Sequence, residues 1–254
     1  MRTLKLQKGF VYGPIHSRRL GLSLGINLMP VGYKLCSFNC LYCHYGWTKV
    51  LTNGVNGYLN DLPRPEDVLE ALENGEVDPK SVNCITFSGN GEPTLHPQFE
   101  AMVDLVRGWR DERATQARTA ILSNSSTAGS APVRRAIERL DVKIMKLDCG
   151  NLQTFQGLNS PHRLVDYEKI LDGLKQMDGI IIQSVLAKGR VDNTTDAEVD
   201  LWIEKLAGIA PREVQIYSID RPPADQSLVK VDRDTLIEIA RKTEGVLGIP
   251  VKVY

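Results

Sequence analysis

Short hydrophobic runs alternate along this chain with longer segments in which hydrophobic residues recur every three or four positions. The short runs are rich in Val, Ile and Leu, which is typical of strands that are covered on both faces. They predict six strands and a short seventh, over residues 22–28, 82–87, 119–123, 142–148, 180–186, 213–218 and 250–253. The longer segments predict helices over residues 65–72, 97–110, 131–140, 164–177, 195–209 and 231–246.

Regular alternation of strand and helix predicts a parallel sheet with right-handed crossovers. Polar segments follow several of the predicted strands, at residues 88–94, 123–126 and 148–151. In an α/β barrel such segments converge at the carboxyl-terminal mouth, where barrel enzymes place their sites. We therefore expect an α/β fold, a partial TIM barrel of the (β/α)6 type, that forms one domain over residues 1–254 with a possible extra strand at 250–253.

Composition narrows the class of protein. The 254 residues include 31 basic and 31 acidic side chains, so the formal net charge is zero, which argues against a broad basic face for nucleic acid. The N-terminal segment lacks the continuous apolar core of a signal peptide. The longest apolar stretch, near residues 179–186, is far shorter than a membrane helix requires. A cytoplasmic protein without membrane contact is expected, and a monomer is compatible with the sequence.

Three of the five cysteines, Cys36, Cys40 and Cys43, lie within eight residues after the first predicted strand. Thiolates are soft ligands that suit iron–sulfur clusters, zinc and copper, and this spacing in a reducing compartment favours metal binding over disulfides. The residues alone leave four alternatives. These are a zinc site completed by His44, c-type haem attachment, buried thiols without a metal, and a [4Fe–4S] cluster with one open iron.

A glycine-containing turn, Gly89-Asn90-Gly91-Glu92, follows the second predicted strand. Glycine lets the backbone approach a ligand closely because no Cβ intervenes. The alternative interpretation is an ordinary turn that leads into the next helix.

The spacing Cys36-x3-Cys40-x2-Cys43, with Tyr42 beside the last cysteine, resembles the signature of the radical S-adenosylmethionine (SAM) superfamily. The segments GPIHSRRLG, GNGEPTLHP, KLD and IDRPP are similar to a branch of short iron–sulfur oxidoreductases grouped with the wyosine-base synthases of transfer RNA. The resemblance implies that the three thiolates hold three irons of a [4Fe–4S] cluster. The amino and carboxylate groups of SAM would then chelate the fourth iron.

The resemblance also implies a SAM pocket, in which the turn that ends at Glu92 receives the SAM amino group. The usual glycine is replaced by Asn90 within that turn and by Ser125 after the third strand. Each candidate also has a structural alternative, such as a helix cap, a surface acid or a side chain that fills the barrel. The candidate SAM contacts are Tyr42, Gly89, Asn90, Gly91, Glu92, Ser123, Asn124, Asp148, Gln183 and Ser184.

Four further residues are candidates for substrate contacts. Cys149 ends the fourth predicted strand and is either a substrate-facing thiol, or hydrogen-atom donor, or a buried small hydrophobic residue. Arg18 and Arg19 precede the first predicted strand and Arg221 follows the sixth, so their guanidinium groups could bind a carboxylate or phosphate. Solvated surface or structural ion pairing is the alternative for all three arginines.

The function that the resemblance implies is reductive cleavage of SAM to a 5′-deoxyadenosyl radical, which abstracts hydrogen from a small-molecule or nucleotide-like substrate. An external one-electron donor of the flavodoxin or ferredoxin type is expected. Alternatives are modification of a transfer RNA base, activation of a glycyl-radical enzyme, and a non-catalytic zinc or iron–sulfur module. Only Cys84 and Cys149 remain outside the cluster motif, so a second cluster with four cysteine ligands is not available.

Overall fold

The structure is a computed structural model that describes residues 3–254, so the first two residues of the predicted domain lie outside the described part. Its strands are β1 (Val11–Ser17), β2 (Gly21–Ile26), β3 (Leu35–Cys36), β4 (Val50–Leu51), β5 (Cys84–Phe87), β6 (Arg118–Ser123), β7 (Val142–Lys146), β8 (Ile181–Val185), β9 (Ala187–Lys188), β10 (Glu213–Tyr217), β11 (Val229–Lys230) and β12 (Val251–Val253). Its helices are α1 (Pro65–Glu73), α2 (Phe99–Arg113), α3 (Ala131–Glu138), α4 (Leu152–Asn159), α5 (Tyr167–Lys175), α6 (Asp196–Ile209) and α7 (Arg233–Leu247).

An eight-stranded sheet with the order β1-β2-β5-β6-β7-β8-β10-β12 forms the centre of the molecule. All neighbours from β2 to β12 are parallel, and β1 pairs antiparallel with β2 at one edge. The strands lie in the sheet in chain order, as successive β/α units require. The predicted α/β fold with a parallel sheet is therefore confirmed.

Side chains of the strands alternate between two apolar layers. One layer packs between the sheet and its helices and includes Ile85, Phe87 and Met145, none of which is exposed. The other is a small cluster on the inner face that includes Cys84 and Ile144. Helix α2 shows how the outer layer forms, because its buried residues recur at helical spacing. They are Phe99, Met102, Val103, Val106 and Trp109.

Four features were not predicted from the sequence: strand β1, the β3–β4 and β9–β11 pairs, and helix α4. Strand β1 is mostly exposed or half-buried and contains Gly13-Pro14, a dipeptide that is typical of a turn. Helix α4 has only eight residues. Its N-cap is Asn151, whose side chain accepts a hydrogen bond from the Thr154 backbone N–H at 2.8 Å. Short elements of this kind carry little periodic signal.

Within residues 3–254, no helix combines the length and the apolar character that a membrane crossing requires.

Candidate functional site

A cavity of about 380 Å³ lies against the inner face of the sheet. Its wall includes the segment from Cys36 to Cys43, here called the cysteine segment, and the glycine-containing turn. Strands from both halves of the sheet complete the wall. Ten of the predicted site residues line it: Cys36, Cys40, Tyr42, Cys43, Gly89, Gly91, Glu92, Ser123, Asn124 and Gln183. The topology thus brings together residues that lie almost 150 positions apart in the chain.

Two backbone contacts hold the cysteine segment in place. On one side, Leu35 forms a parallel bridge with Gly91, and a Cβ added at Gly91 would lie only 1.7 Å from the Leu35 carbonyl oxygen. On the other side, the Asn39 and Leu41 N–H groups donate to the Asn159 and Leu158 carbonyls at 3.1 and 2.9 Å. Those carbonyls belong to the last turn of α4, which has no further helical N–H groups to satisfy them. Glycine at position 91 is therefore a steric requirement of the site.

Each of the three thiols faces one side-chain N–H donor. Lys34 Nζ lies 3.0 Å from Cys43 Sγ. Asn124 Nδ2 lies 3.5 Å from Cys36 Sγ, and Asn159 Nδ2 lies 3.7 Å from Cys40 Sγ. Donors placed around sulfur stabilise the thiolate form, which is the form that binds metal.

Burial acts against the thiolate form in the absence of a metal. It raises the pKa of Cys36 to about 11 and the pKa of Cys40 to about 12. Metal binding therefore has to displace protons from these two thiols. Three soft donors with N–H groups directed at them fit an iron–sulfur cluster, with Cys36, Cys40 and Cys43 as ligands.

His44, the fourth ligand of the zinc alternative, is not among the residues that line the cavity. Among residues 3–254, no group of three or more His, Cys, Asp or Glu side chains is arranged to hold a single metal ion.

The carboxylate of Glu92 is buried in the cavity wall and held by four donors. Its Oε1 accepts from the Thr94 N–H at 3.1 Å, the Thr94 hydroxyl at 2.5 Å and the Ser123 hydroxyl at 2.9 Å. Its Oε2 accepts from the Asn124 N–H at 2.6 Å. Burial raises the pKa of Glu92, although these hydrogen bonds oppose the shift. A buried carboxylate in a fixed orientation can bind a cation such as an ammonium group.

The glycine-containing turn serves the fold as well as the cavity. The side chain of Asn90 is fully buried and turns away from the cavity, which explains why it can replace a glycine here. It accepts from the Gln7 N–H at 2.8 Å and donates to the Gln7 and Pro30 carbonyls at 2.9 and 3.0 Å. The role of Asn90 in SAM binding stays a prediction, which its side chain could serve only by holding the backbone of the turn.

Asp148 and Ser184 lie behind the cavity wall. Asp148 accepts from the Tyr42 hydroxyl, from Asn159 Nδ2 at 2.7 Å and from the Val185 N–H at 2.8 Å, and it pairs with Lys146 Nζ at 3.1 Å. Asp148 thus orients Tyr42 and Lys146, which do line the cavity. The Ser184 hydroxyl donates to the Leu147 carbonyl at 2.5 Å. Direct SAM contacts from Asp148 and Ser184 stay predictions.

None of the four candidate substrate residues lines the cavity. Cys149 is 1% exposed and packs in the main hydrophobic core. Arg18 pairs with Asp220 at 2.6 Å. The Arg19 guanidinium stacks 4.7 Å from the Tyr217 ring centre and 4.4 Å from that of Tyr254. Arg221 is exposed. The structural alternatives describe these positions better than direct substrate binding does.

Sequence reasoning missed two basic residues of the cavity wall, Lys34 and Lys146. Lys146 could have been recognised from the sequence, because it lies two residues after Ile144 in β7 and so faces the same, inward side. The inward residues Val142 and Ile144 of the same strand are apolar, and a charge at the next inward position favours a functional role over a surface one. Lys34 had no comparable signal beyond its place two residues before Cys36.

The fold is that of the radical SAM enzymes. A radical SAM methyltransferase from Sphaerobacter thermophilus superposes with a TM-score of 0.63 and 17% identity over 91% of this chain and 65% of its own. TYW1, a wyosine synthase solved with a lysine–pyruvate adduct bound, superposes with a TM-score of 0.55 and 16% identity over 88% of this chain and 73% of its own.

Comparison of the amino-acid sequence with known proteins identifies the family of the chain. The UPF0026 protein slr1464 of Synechocystis sp. is 30% identical over 267 positions that cover 95% of each chain. The chain belongs to the UPF0026 family. It also matches a Brachyspira hyodysenteriae protein named GTPase Obg at 28% identity, over 94% of this chain but only 34% of that longer protein. No protein-family model matches the chain.

Proposed function

We propose that this protein is a radical SAM enzyme, with a [4Fe–4S] cluster on Cys36, Cys40 and Cys43. The observation that carries the proposal is the presence of three thiols, each facing an N–H donor, in one cavity with the buried carboxylate of Glu92. Soft anionic donors at one end suit a cluster, and the fixed carboxylate nearby suits the amino group of SAM, whose N–H bonds it can accept.

When bound and reduced, the cluster would supply one electron to SAM, whose C5′–S bond breaks to give methionine and a 5′-deoxyadenosyl radical. The chain would supply binding, orientation and exclusion of water. Glu92 would pair with the SAM amino group while Ser123 and the Asn124 N–H hold its carboxylate in place. Tyr42, fixed by Asp148, would close the wall beside Cys43.

For the substrate, we propose a small molecule or a nucleotide-like group. A cavity of about 380 Å³ lies near the lower end of the range for ligand pockets, and it would have to admit SAM as well. The formal net charge of zero favours the same choice. We expect a flavodoxin- or ferredoxin-type protein as the electron donor, because radical SAM clusters need a strong one-electron reductant.

The test is anaerobic reconstitution with iron and sulfide, followed by dithionite and SAM. We expect about four iron and four sulfide per chain and release of 5′-deoxyadenosine. Cys40→Ala should lose the cluster, whereas Cys84→Ala should keep it, because Cys84 is buried in the inner apolar cluster outside the cavity wall. A verified cluster in the wild-type chain that never yields 5′-deoxyadenosine would contradict the proposal.

A transfer RNA base as substrate is the second candidate, and the likeness to TYW1 is the observation that favours it. Binding of bulk transfer RNA that weakens steeply with salt would support this candidate. Turnover of a small molecule with no transfer RNA binding at low salt would support the first. Formation of a glycyl radical on a partner enzyme would instead identify an activase.

A further inference from the structure

Lys34 has an unusual environment for a lysine. The residue is 5% exposed, and its ammonium group contacts Cys43 Sγ at 3.0 Å and the Gly46 carbonyl oxygen at 2.9 Å. The titratable groups that act most strongly on it are the thiols of Cys43, Cys36 and Cys40. No carboxylate of residues 3–254 forms an ion pair with it, in contrast to the cavity lysine Lys146, which pairs with Asp148 at 3.1 Å.

A buried cation without a counter-charge is costly, so lysine at a dry position requires compensation. A carbonyl oxygen supplies a dipole but no net charge. Within residues 3–254, the groups beside Lys34 that can become anions are the cysteine sulfurs, once they are deprotonated as metal ligands. The ammonium group therefore has its full partner only when the cluster is present.

The backbone of Lys34 fixes the direction of its side chain. Its carbonyl oxygen accepts from the Lys49 and Val50 N–H groups, both at 3.1 Å, where β3 pairs with β4. The ammonium group also donates to Gly46, three residues after Cys43. Lys34, which precedes the cysteine segment, thus forms hydrogen bonds with Cys43 at the other end of that segment and with Gly46 just beyond it.

We infer that Lys34 is a positioning residue for the cluster, which holds the Cys43 ligand and makes the cluster easier to reduce. The inference rests on the proposed function, because it requires the cluster to bind. A fixed positive charge and an N–H···S hydrogen bond both favour the state with one more electron, since that state carries more negative charge on sulfur. Removal of Lys34 should therefore shift the midpoint potential of the cluster to a more negative value.

The experiment compares Lys34→Met, Lys34→Gln and Lys49→Met with the wild-type chain. Methionine has a similar length but no charge and no donor, whereas glutamine keeps a donor without the charge. Lys49→Met is the matched control, because it removes the same charge from the same segment at an exposed position, where water screens it. The readouts are iron per chain, the midpoint potential from an electron paramagnetic resonance titration without SAM, and urea unfolding of the metal-free proteins.

We expect the midpoint potential to fall in Lys34→Met, to fall less in Lys34→Gln and to stay at the wild-type value in Lys49→Met. We expect metal-free Lys34→Met to be at least as stable as the metal-free wild type, because the substitution removes a buried cation that lacks its partner. Failure of Lys34→Met to retain iron, with the metal-free fold intact, would also support the inference.

Two results would overturn the inference. One is a loaded Lys34→Met cluster with the wild-type potential. The other is a metal-free Lys34→Met protein that is clearly less stable than the metal-free wild type, since that would show a structural role independent of the cluster. A wild-type chain that binds no cluster would instead refute the proposed function, so the two failures are distinguishable.

Discussion

At the scale of single residues, Ser125 shows how this chain departs from its relatives. Its φ is +70°, in the left-handed region that glycine adopts easily and serine does not. Its hydroxyl is also buried and has no hydrogen-bond partner among residues 3–254. The radical SAM resemblance leads one to expect glycine at this position. The left-handed backbone conformation explains that preference. The neighbouring Ser123 and Asn124 nevertheless reach Glu92.

Ser125→Gly should stabilise the protein by about 1 kcal/mol, because it removes the left-handed strain and the unsatisfied hydroxyl. Urea unfolding measures the change. Ser125→Ala separates the two causes, since alanine lacks the hydroxyl but keeps the strain. A Ser125→Gly variant less stable than Ser125→Ala would show that backbone strain is not the dominant cost.

Glu92 should make SAM binding depend on pH. Its pKa is raised by burial, so the carboxyl group holds its proton to a higher pH than an exposed glutamate does. The carboxylate accepts hydrogen bonds from the SAM amino group only when deprotonated, so SAM affinity should fall as the pH is lowered through that raised value. Glu92→Gln should bind SAM at least about tenfold more weakly at neutral pH and lose this dependence. Titrations of the cluster-loaded proteins with SAM at several pH values measure both effects.

The metal-free protein should respond to pH with the opposite sign. A carboxyl group whose pKa is higher in the folded than in the unfolded chain adds stability at low pH. That contribution is lost as the pH rises from the unfolded value of 4.5 through the folded one. A difference in unfolding free energy between wild type and Glu92→Gln that does not change over this interval would contradict the assignment.

At the scale of elements, the cysteine segment depends on its contacts with β3, the glycine-containing turn and α4. The bridge between Leu35 and Gly91 brings two backbones closer than any side chain at position 91 would allow. The hydrogen bonds from Asn39 and Leu41 to the end of α4 complete the support. The three cysteines therefore lie on a loop that packed elements hold on both sides.

Gly91→Ala should displace β3 and cost about 3 kcal/mol or more, because its Cβ would overlap the Leu35 carbonyl. Iron retained after reconstitution should fall in parallel with urea stability. The control is Gly108→Ala, at an exposed position of α2 where an added Cβ meets nothing within 4 Å. That change should instead stabilise the helix by about 0.5–1 kcal/mol. Equal behaviour of the two variants would contradict the steric requirement.

At the scale of the whole molecule, contacts connect the two ends of the open sheet. Arg19 lies in the loop between β1 and β2, at one end of the strand order, and stacks on Tyr217 and Tyr254 at the other end. Arg18 pairs with Asp220 across the same gap. Two of the three arginines predicted to bind a substrate anion, Arg18 and Arg19, thus join the ends of the sheet.

Arg19→Ala should cost about 1–2 kcal/mol, because the guanidinium packs against two rings away from water. Arg18→Ala should cost less than about 1 kcal/mol, because its ion pair is exposed. Hydrogen exchange should show faster opening of β12 in Arg19→Ala only. Equal unfolding free energies for both variants would contradict a specific role of the stacked side chain.

The central strands could be predicted because each is a distinct apolar run. Most helices could be predicted because each is long enough for its hydrophobic residues to recur at helical spacing. The three thiols, Glu92 and its glycines could be found because their spacing lies within short segments of the sequence. Lys34 and Asn159 could not, because their roles arise only where β3 and the end of α4 meet the cysteine segment. Asp148 could be singled out because it ends a predicted strand. Its carboxylate, however, binds four protein groups and supports the cavity wall from behind.

The donors that face the thiols also constrain when a cluster can be inserted during synthesis of the chain. Cys40 leaves the ribosome 119 residues before Asn159, and Cys36 leaves 88 residues before Asn124. A nascent chain that ends shortly after the cysteine motif would present exposed thiols without these donors or the carbonyls of α4. If the proposed cluster depends on these donors, it would be held stably only after more than half of the chain has been made. The delivering scaffold would then meet a chain that has folded at least as far as α4, not a short emerging peptide.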